Sequence, residues 1–393
     1  MLASDNRFEC GEHLLELERP GRGGRDLRAW DAADELLLEY TDAHITTHHI
    51  APGALAIIDD AFGALTLALN DMAPASIADS ALLLQALRKN AGPNQLPVPA
   101  ALNWQAPPEG PFDLILLKIP RQLDYLEYLL RWSNTVLSPQ GRVVAGGMIK
   151  HLPDRCADLF AKLMGSNEPQ RAKRKARVIV AARGEAGLEG WTNLKKGYVL
   201  PSFTGNAAAS EEASLLGMPA VFARERLDIG TRVFLPQVAG AVARLTPGAR
   251  ILDLGCGNGV LGLSALIQRP DLAVDFADVS SQAIASARGN LERLAVEACA
   301  RFYHTDGVPQ GEHYDLILCN PPFHEGGTVG DHIALRMFRQ ASKALNSGGA
   351  FLVVGNRHLG YHAKLKKDFV RVEQRASDPK FVVLEARKLV ARQ

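Results

Sequence analysis

The stretch Ile251-Leu252-Asp253-Leu254-Gly255-Cys256-Gly257-Asn258-Gly259 starts as a mostly apolar run and ends as a glycine loop. A strand that runs into glycines and then a helix lets a ligand lie against the main chain, because each missing Cβ leaves room and permits a tight turn. That points to nucleotide binding and leaves the nucleotide open. Gly257-Asn258-Gly259-Val260-Leu261-Gly262 also matches G-x-G-x-x-G, and Asp278 follows Gly257 by 278 − 257 = 21 residues, where a dinucleotide fold places its ribose-binding acid. A dehydrogenase is one reading of these residues.

Asp253, two residues before Gly255, gives the frame D-x-G-x-G-x-G, which resembles the S-adenosylmethionine-dependent methyltransferases of the Rossmann-like class. The resemblance implies that Asp253, with Gly255 and Gly257, faces the amino acid end of the cofactor. It further implies that Asp278 takes the ribose hydroxyls and that Asp306, in Tyr303-His304-Thr305-Asp306, reads the adenine amino group. Asp306 before Gly307 also reads as a turn former.

Asn320-Pro321-Pro322-Phe323 follows the apolar run Asp315–Cys319 and resembles the N-P-P-[FY] signature of methyltransferases that modify an exocyclic or amide nitrogen. The lone pair of such a nitrogen is delocalised into a ring or carbonyl, so it is a poor nucleophile until acceptors hold its hydrogens. Asn320 offers a side-chain carbonyl and Pro321 a main-chain one. The prolines stiffen the turn and remove competing N–H donors, and Phe323 offers a face on which a planar base can stack. Hydride transfer has no use for this turn, which sets the dehydrogenase reading back. Methyl transfer needs in-line alignment at about 3–3.5 Å and no metal. A base edge reaches such a site only if the nucleotide is flipped out or single-stranded.

The elements that must position these residues occur twice. Phe112-Asp113-Leu114-Ile115-Leu116 returns as Tyr314-Asp315-Leu316-Ile317-Leu318, and Gly63-Ala64-Leu65, Asp79, Asn90 and Ala182-Arg183 have echoes at Gly259-Val260-Leu261, Asp278, Asn290 and Ala386-Arg387. The expected organisation is one domain at 1–185, a linker at 186–221 with one strand at Tyr198–Phe203, and a second domain at 222–393. In the second copy, strands are expected at Ala249–Leu254, Ala273–Ala277, Arg301–His304, Asp315–Cys319 and Ala350–Val354. Helices are expected at Val260–Gln268, Gln282–Ala298 behind the N-cap Ser280, and around His332–Leu345. Lys380–Ala386 should enter antiparallel near the edge. The fold class is therefore α/β, with tandem Rossmann-like methyltransferase domains on doubly wound, mostly parallel sheets. The N-terminal copy reads as degenerate and the C-terminal copy as catalytic. Asp59, Ala61 and Ile57 stand where the second copy has Gly255, Gly257 and Asp253, and Lys118-Ile119-Pro120-Arg121 stands for the Asn-Pro-Pro-Phe turn.

Composition bounds the function. The 393 residues are 47% hydrophobic and 22% charged, as in ordinary soluble domains, which disfavours disorder and a disulfide scaffold. No apolar run approaches a membrane span, and Asp5, Glu9 and Glu12 stand where a secretory signal would be basic and then apolar, so a cytoplasmic location is expected. Five widely spaced cysteines fit reduced thiols, and His44, His48 and His49 lack the frame of a metal site. A net charge of +1 makes local basic clusters matter more than the total. Of the three runs, at Arg19, Arg22, Arg25 and Arg28, at Arg171 to Arg177, and at Lys364 to Arg375, the second joins Lys118, Arg121 and Arg131 as candidate phosphate contacts of the first copy.

A decayed methyltransferase domain before an active one resembles the bacterial ribosomal RNA guanine-N2 methyltransferases. Trp30–Asp34, Asp59–Leu65, Leu227–Arg232 and Asn356–Lys367 look like the large-subunit (23S) members, and the small-subunit (16S) members are similar but shorter. The resemblance implies N2-methylguanine in ribosomal RNA as the product, RNA recognition by the first domain, and S-adenosylmethionine as the cofactor. Guanine comes from the resemblance alone, since adenine-, cytosine- and glutamine-methylating enzymes share the turn. A 16S target, protein glutamine methylation and a non-catalytic RNA assembly factor stand as alternatives.

Overall fold

The computed structural model describes residues 6–21, 27–153, 155–200, 214–295, 299–322 and 332–388. Phe323, Arg22 and Arg25 lie outside the described residues. The chain divides into two compact units, Met1–Leu194 and Lys195–Gln393.

Each unit is built on a seven-stranded sheet, and the two sheets share one strand order: third, second, first, fourth, fifth, seventh, sixth. In the second unit the sheet runs Cys299–His304, Ala273–Asp278, Arg250–Leu254, Tyr314–Cys319, Leu345–Asn356, Phe381–Arg387, Arg371–Ser377. The first five are parallel, and Phe381–Arg387 pairs antiparallel with the strands on both its sides. The central strands are buried on both faces, which is why they read as continuous apolar runs. Val260–Gln268 forms the helix after the glycine loop, and Ser281–Arg293 is capped by Ser280, whose hydroxyl accepts from Ala283 N–H.

Three elements depart from expectation. Phe381–Arg387 enters antiparallel near the edge as expected, but the edge itself is Arg371–Ser377, a strand outside the expected set. That segment reads as a charged surface run in sequence, and charge is what suits an exposed edge. Its Arg375 and the neighbouring strand's Arg387 both pair with the buried Glu385. Second, the helix Ile229–Val242, capped by Asp228, was not anticipated around Pro236.

Third, the described parts of the expected linker, 186–200 and 214–221, carry paired strands. Lys196–Val199 and Ser214–Gly217 pair antiparallel, as Arg7–Cys10 and His13–Glu16 do in the first unit. The parallel extends to the clasp. Asn90 exchanges hydrogen bonds with both main-chain groups of Glu18 and donates to Phe62 O, while Asn290 exchanges them with Leu216 and donates to Asn258 O. The second copy thus begins with its own hairpin, well before residue 222. Residues 186–194 belong to the first unit. There Asn134 Nδ2 donates to Ala186 O, and the Arg131 guanidinium stacks over Trp191.

Candidate active site

Strand order reverses between Arg250–Leu254 and Tyr314–Cys319, and in open α/β sheets ligands settle at the carboxyl ends of such a pair. Leu254 pairs with Cys319, so Gly255 and Asn320 are the next residues off neighbouring strands. Leu254 also pairs with Ala277, which puts Asp278 on the other flank, and Asp278 pairs with His304 just before the Asp306 turn. Four segments spread over residues 255–320 are brought together at the carboxyl ends of neighbouring strands.

The glycines do different work. Gly255, Gly257 and Gly259 all have positive φ, at +74°, +55° and +85°. A Cβ on Gly259 would press on Ala287, and one on Gly262 would collide with Phe276, so these two serve packing. A Cβ on Gly257 would meet nothing within 4 Å, and one on Gly255 only Met337 Cε at 3.6 Å. Their open space forms a cradle beside the main chain. Gly257 N–H donates to Asp278 Oδ2 at 2.9 Å and Ser280 N–H to Asp278 Oδ1 at 2.9 Å, which fixes the carboxylate beside the cradle.

Asp253 is placed differently from expectation. It has no exposed surface, and its Oδ2 accepts Gly262 N–H at 2.8 Å, so it supports the loop and the helix N-terminus from inside. Its Oδ1 has no partner among the described residues. Burial, reinforced by the nearby Asp278 charge, pushes the carboxyl up to about 8. An unfolded carboxyl titrates near pH ~4. Between these values the folded group is protonated and the unfolded one ionised, so stability falls as pH rises through the window. The melting temperature of the wild type, relative to Asp253→Asn, is expected to drop steadily from pH 5 to pH 8 in parallel thermal melts. A pH-independent difference would mean that Asp253 is ionised in the fold.

Asp306 has a partner that sequence reasoning did not supply: both its oxygens accept from the Arg336 guanidinium. Asn320 and the turn behave as a unit. Pro321 is buried and Pro322 exposed. Asn320 Nδ2 donates to Thr231 Oγ1 at 3.0 Å and to Asp228 Oδ2 at 3.4 Å, and its Oδ1 is shielded and unpartnered among the described residues. Asp228 and Thr231 escape sequence reasoning; the signal available was an acid three residues before a threonine at a helix start.

The first unit shows what losing the site entails. Register aligns Ile57, Asp59 and Ala61 with Asp253, Gly255 and Gly257. Asp59 adopts φ +57°, and its Oδ1 accepts from Tyr125 Oη at 3.2 Å, which in turn accepts from Trp104 Nε1 at 2.7 Å. Burial and the Asp79 charge raise Asp59 to about 7. The chain's own side chains span the loops that form the cradle in the other copy. Gly63 survives at φ +81° because a Cβ there would strike Leu87.

The phosphate candidates divide. Lys118 is bound by Asp31 and Asp34 at 3.0 and 2.6 Å. Burial pulls its ammonium down, but the two carboxylates outweigh that and hold it above its ordinary value. Arg131 pairs with Glu127 and donates to Gly187 O. Arg174 and Lys173 pair with Glu35 and Glu39. Arg121 meets His151 Nδ1 at 2.7 Å on an exposed face. Arg171, Lys175 and Arg177 are exposed and have no ion pair among the described residues. No described helix is long and apolar enough to cross a membrane.

Residues 212–385 match the family described as Methyltransferase small domain, and residues 5–185 the RLMG N-terminal domain. The chain is 41% identical over 385 residues to a Ribosomal RNA large subunit methyltransferase G of Pseudomonas putida, covering 95% of this chain and 96% of that one. A protein of the same name from Pseudomonas aeruginosa is 41% identical over 380 residues, with 95% and 97% covered. Among solved structures, a T. thermophilus 16S rRNA N2 guanine methyltransferase in complex with AdoMet and guanosine superposes at TM-score 0.74. It covers 97% of each chain at 23% identity and so shares the fold.

Proposed function

From the premise that this chain belongs to the ribosomal RNA large subunit methyltransferase G family, and is an S-adenosylmethionine-dependent rRNA methyltransferase, we propose that its target atom is the exocyclic N2 of a guanine in 23S rRNA. The pairing of Leu254 with Cys319, which sets the glycine cradle and the Asn320 turn side by side, supports methyl transfer to a planar amine, and the choice of guanine N2 in 23S rRNA rests on the relatives' names. Gly255, Gly257 and Asp278 hold the cofactor, which when bound supplies a methyl group on a sulfonium. Asn320 Oδ1 and the Pro321 carbonyl accept the two hydrogens of the guanine amine and so aim its lone pair. Phe323, outside the described residues, is assigned to stacking on the base. Asp306, already paired with Arg336, is assigned to the adenine end only through that pair. The reaction takes place in the cytoplasm, where rRNA is made.

The test is to map N2-methylguanines in rRNA from cells lacking the protein and from cells complemented with it. One 23S position is expected to lose its methyl group and regain it. A change in 16S rRNA only, or labelled methyl groups entering protein only, would discard this target.

The first unit is assigned to RNA recognition through Arg171, Lys175 and Arg177. Changing all three to glutamate is expected to raise KM for rRNA about tenfold and to flatten its salt dependence by roughly two to three phosphate contacts, with cofactor affinity unchanged. An unaltered salt slope in filter-binding titrations would count against these three residues.

A further inference from the structure

A side-chain amide has two unlike ends, and which one faces outward decides whether Asn320 can receive an amine at all. Its nitrogen donates to Thr231 Oγ1 and Asp228 Oδ2, and its shielded oxygen has no partner among the described residues. A buried carbonyl left unpaired is costly unless a ligand completes it. The orientation has a physical cause. Asp228 Oδ2 is an acceptor only, and it takes Thr231 N–H at 3.0 Å and the Thr231 hydroxyl proton at 3.4 Å. With that proton committed, Thr231 Oγ1 presents a lone pair to Asn320. A flipped amide would set its oxygen against a carboxylate oxygen and a hydroxyl lone pair.

We propose that Asp228 and Thr231, the N-cap and third residue of the Ile229–Val242 helix, are positioning residues that lock the Asn320 amide with Oδ1 turned to the substrate amine. This rests on the reading of Asn320 as the amine's acceptor. The first copy uses the same two cap positions for the same grip: Asp31 and Asp34 hold Lys118, the counterpart of Asn320. What differs is the charge matched to the guest. Two carboxylates suit an ammonium. One carboxylate with a hydroxyl suits a neutral amide, and Thr231 is the replacement that makes the change.

The experiment is steady-state kinetics of the full chain on 23S rRNA with Thr231→Val, Thr231→Ser, Asn320→Ala and the double variant Thr231→Val with Asn320→Ala. Valine keeps the shape and the main-chain bond to Asp228, and thermal melting with cofactor calorimetry checks that the fold and cradle are intact. Thr231→Val is expected to lower kcat about tenfold with KM for RNA and cofactor Kd within about twofold. Thr231→Ser should recover to within about twofold of wild type, and in the Asn320→Ala background the valine should cost nothing further, because the amide it orients is gone. Asp228→Ser, which still caps the helix but lacks the carboxylate, should repeat this pattern if valine disturbs the fold. Full turnover by Thr231→Val, or an undiminished loss in the Asn320→Ala background, overturns the positioning role. Wild-type turnover by Asn320→Ala would instead remove the acceptor reading and this inference with it, a result the Thr231 variants alone cannot give.

Discussion

Replacing Asn320 by alanine is expected to lower methyl transfer to rRNA by at least about 100-fold while leaving cofactor affinity within about twofold. The guanine amine is conjugated with its ring, and without an oxygen to draw on its hydrogens its lone pair stays in the π system. The Pro321 carbonyl remains, so a residual rate should persist. The fold should barely respond: Asp228 keeps its bond to Thr231 N–H, and the loss of two modest hydrogen bonds costs about 1–2 kcal/mol. Single-turnover assays with labelled cofactor separate the chemical step from RNA binding. Undiminished turnover there would eliminate Asn320 as the acceptor.

Gly255→Asp should abolish cofactor binding, with affinity down by at least about 100-fold, and leave the protein folded. The substitution copies the first unit, where Asp59 stands at this position with φ +57°. Gly255 sits at φ +74°, a region that aspartate tolerates better than most side chains, and its Cβ would have ordinary room beside Met337 Cε at 3.6 Å. What the carboxylate takes away is the open space of the cradle, next to a second charge at Asp278. Calorimetry against circular dichroism decides it. Wild-type affinity in a folded Gly255→Asp protein would show that the cradle is not where the cofactor lies.

Much of this was legible in the sequence, for reasons that can be named. The second copy's central strands announce themselves as apolar runs, Ser280 marks a helix start, and the 202-residue echo of Phe112–Leu116 at Tyr314–Leu318 matches the fourth strands of two like-ordered sheets. What stayed hidden was tertiary. The bonds of Asn320 to Thr231 and Asp228 span 89 and 92 residues, and no local pattern encodes them. Lys118 and Arg131 looked like free cations because a sequence shows charge without showing its partner. Asp253 looked like a ligand contact because its spacing is right, although its side chain points into the protein. Of the pair Lys196–Val199 and Ser214–Gly217, the first overlaps the strand expected at Tyr198–Phe203, and the second, too short to stand out from its Ser- and Ala-rich surroundings, is tied in by Asn290.

The ion cluster around Lys118 makes that position and its two acids interdependent. Restoring asparagine there would strand Asp31 and the nearly buried Asp34 side by side without their cation, and an orphaned buried charge costs about 3–5 kcal/mol. Installing the turn of the second unit here would need the ammonium and at least one acid exchanged together.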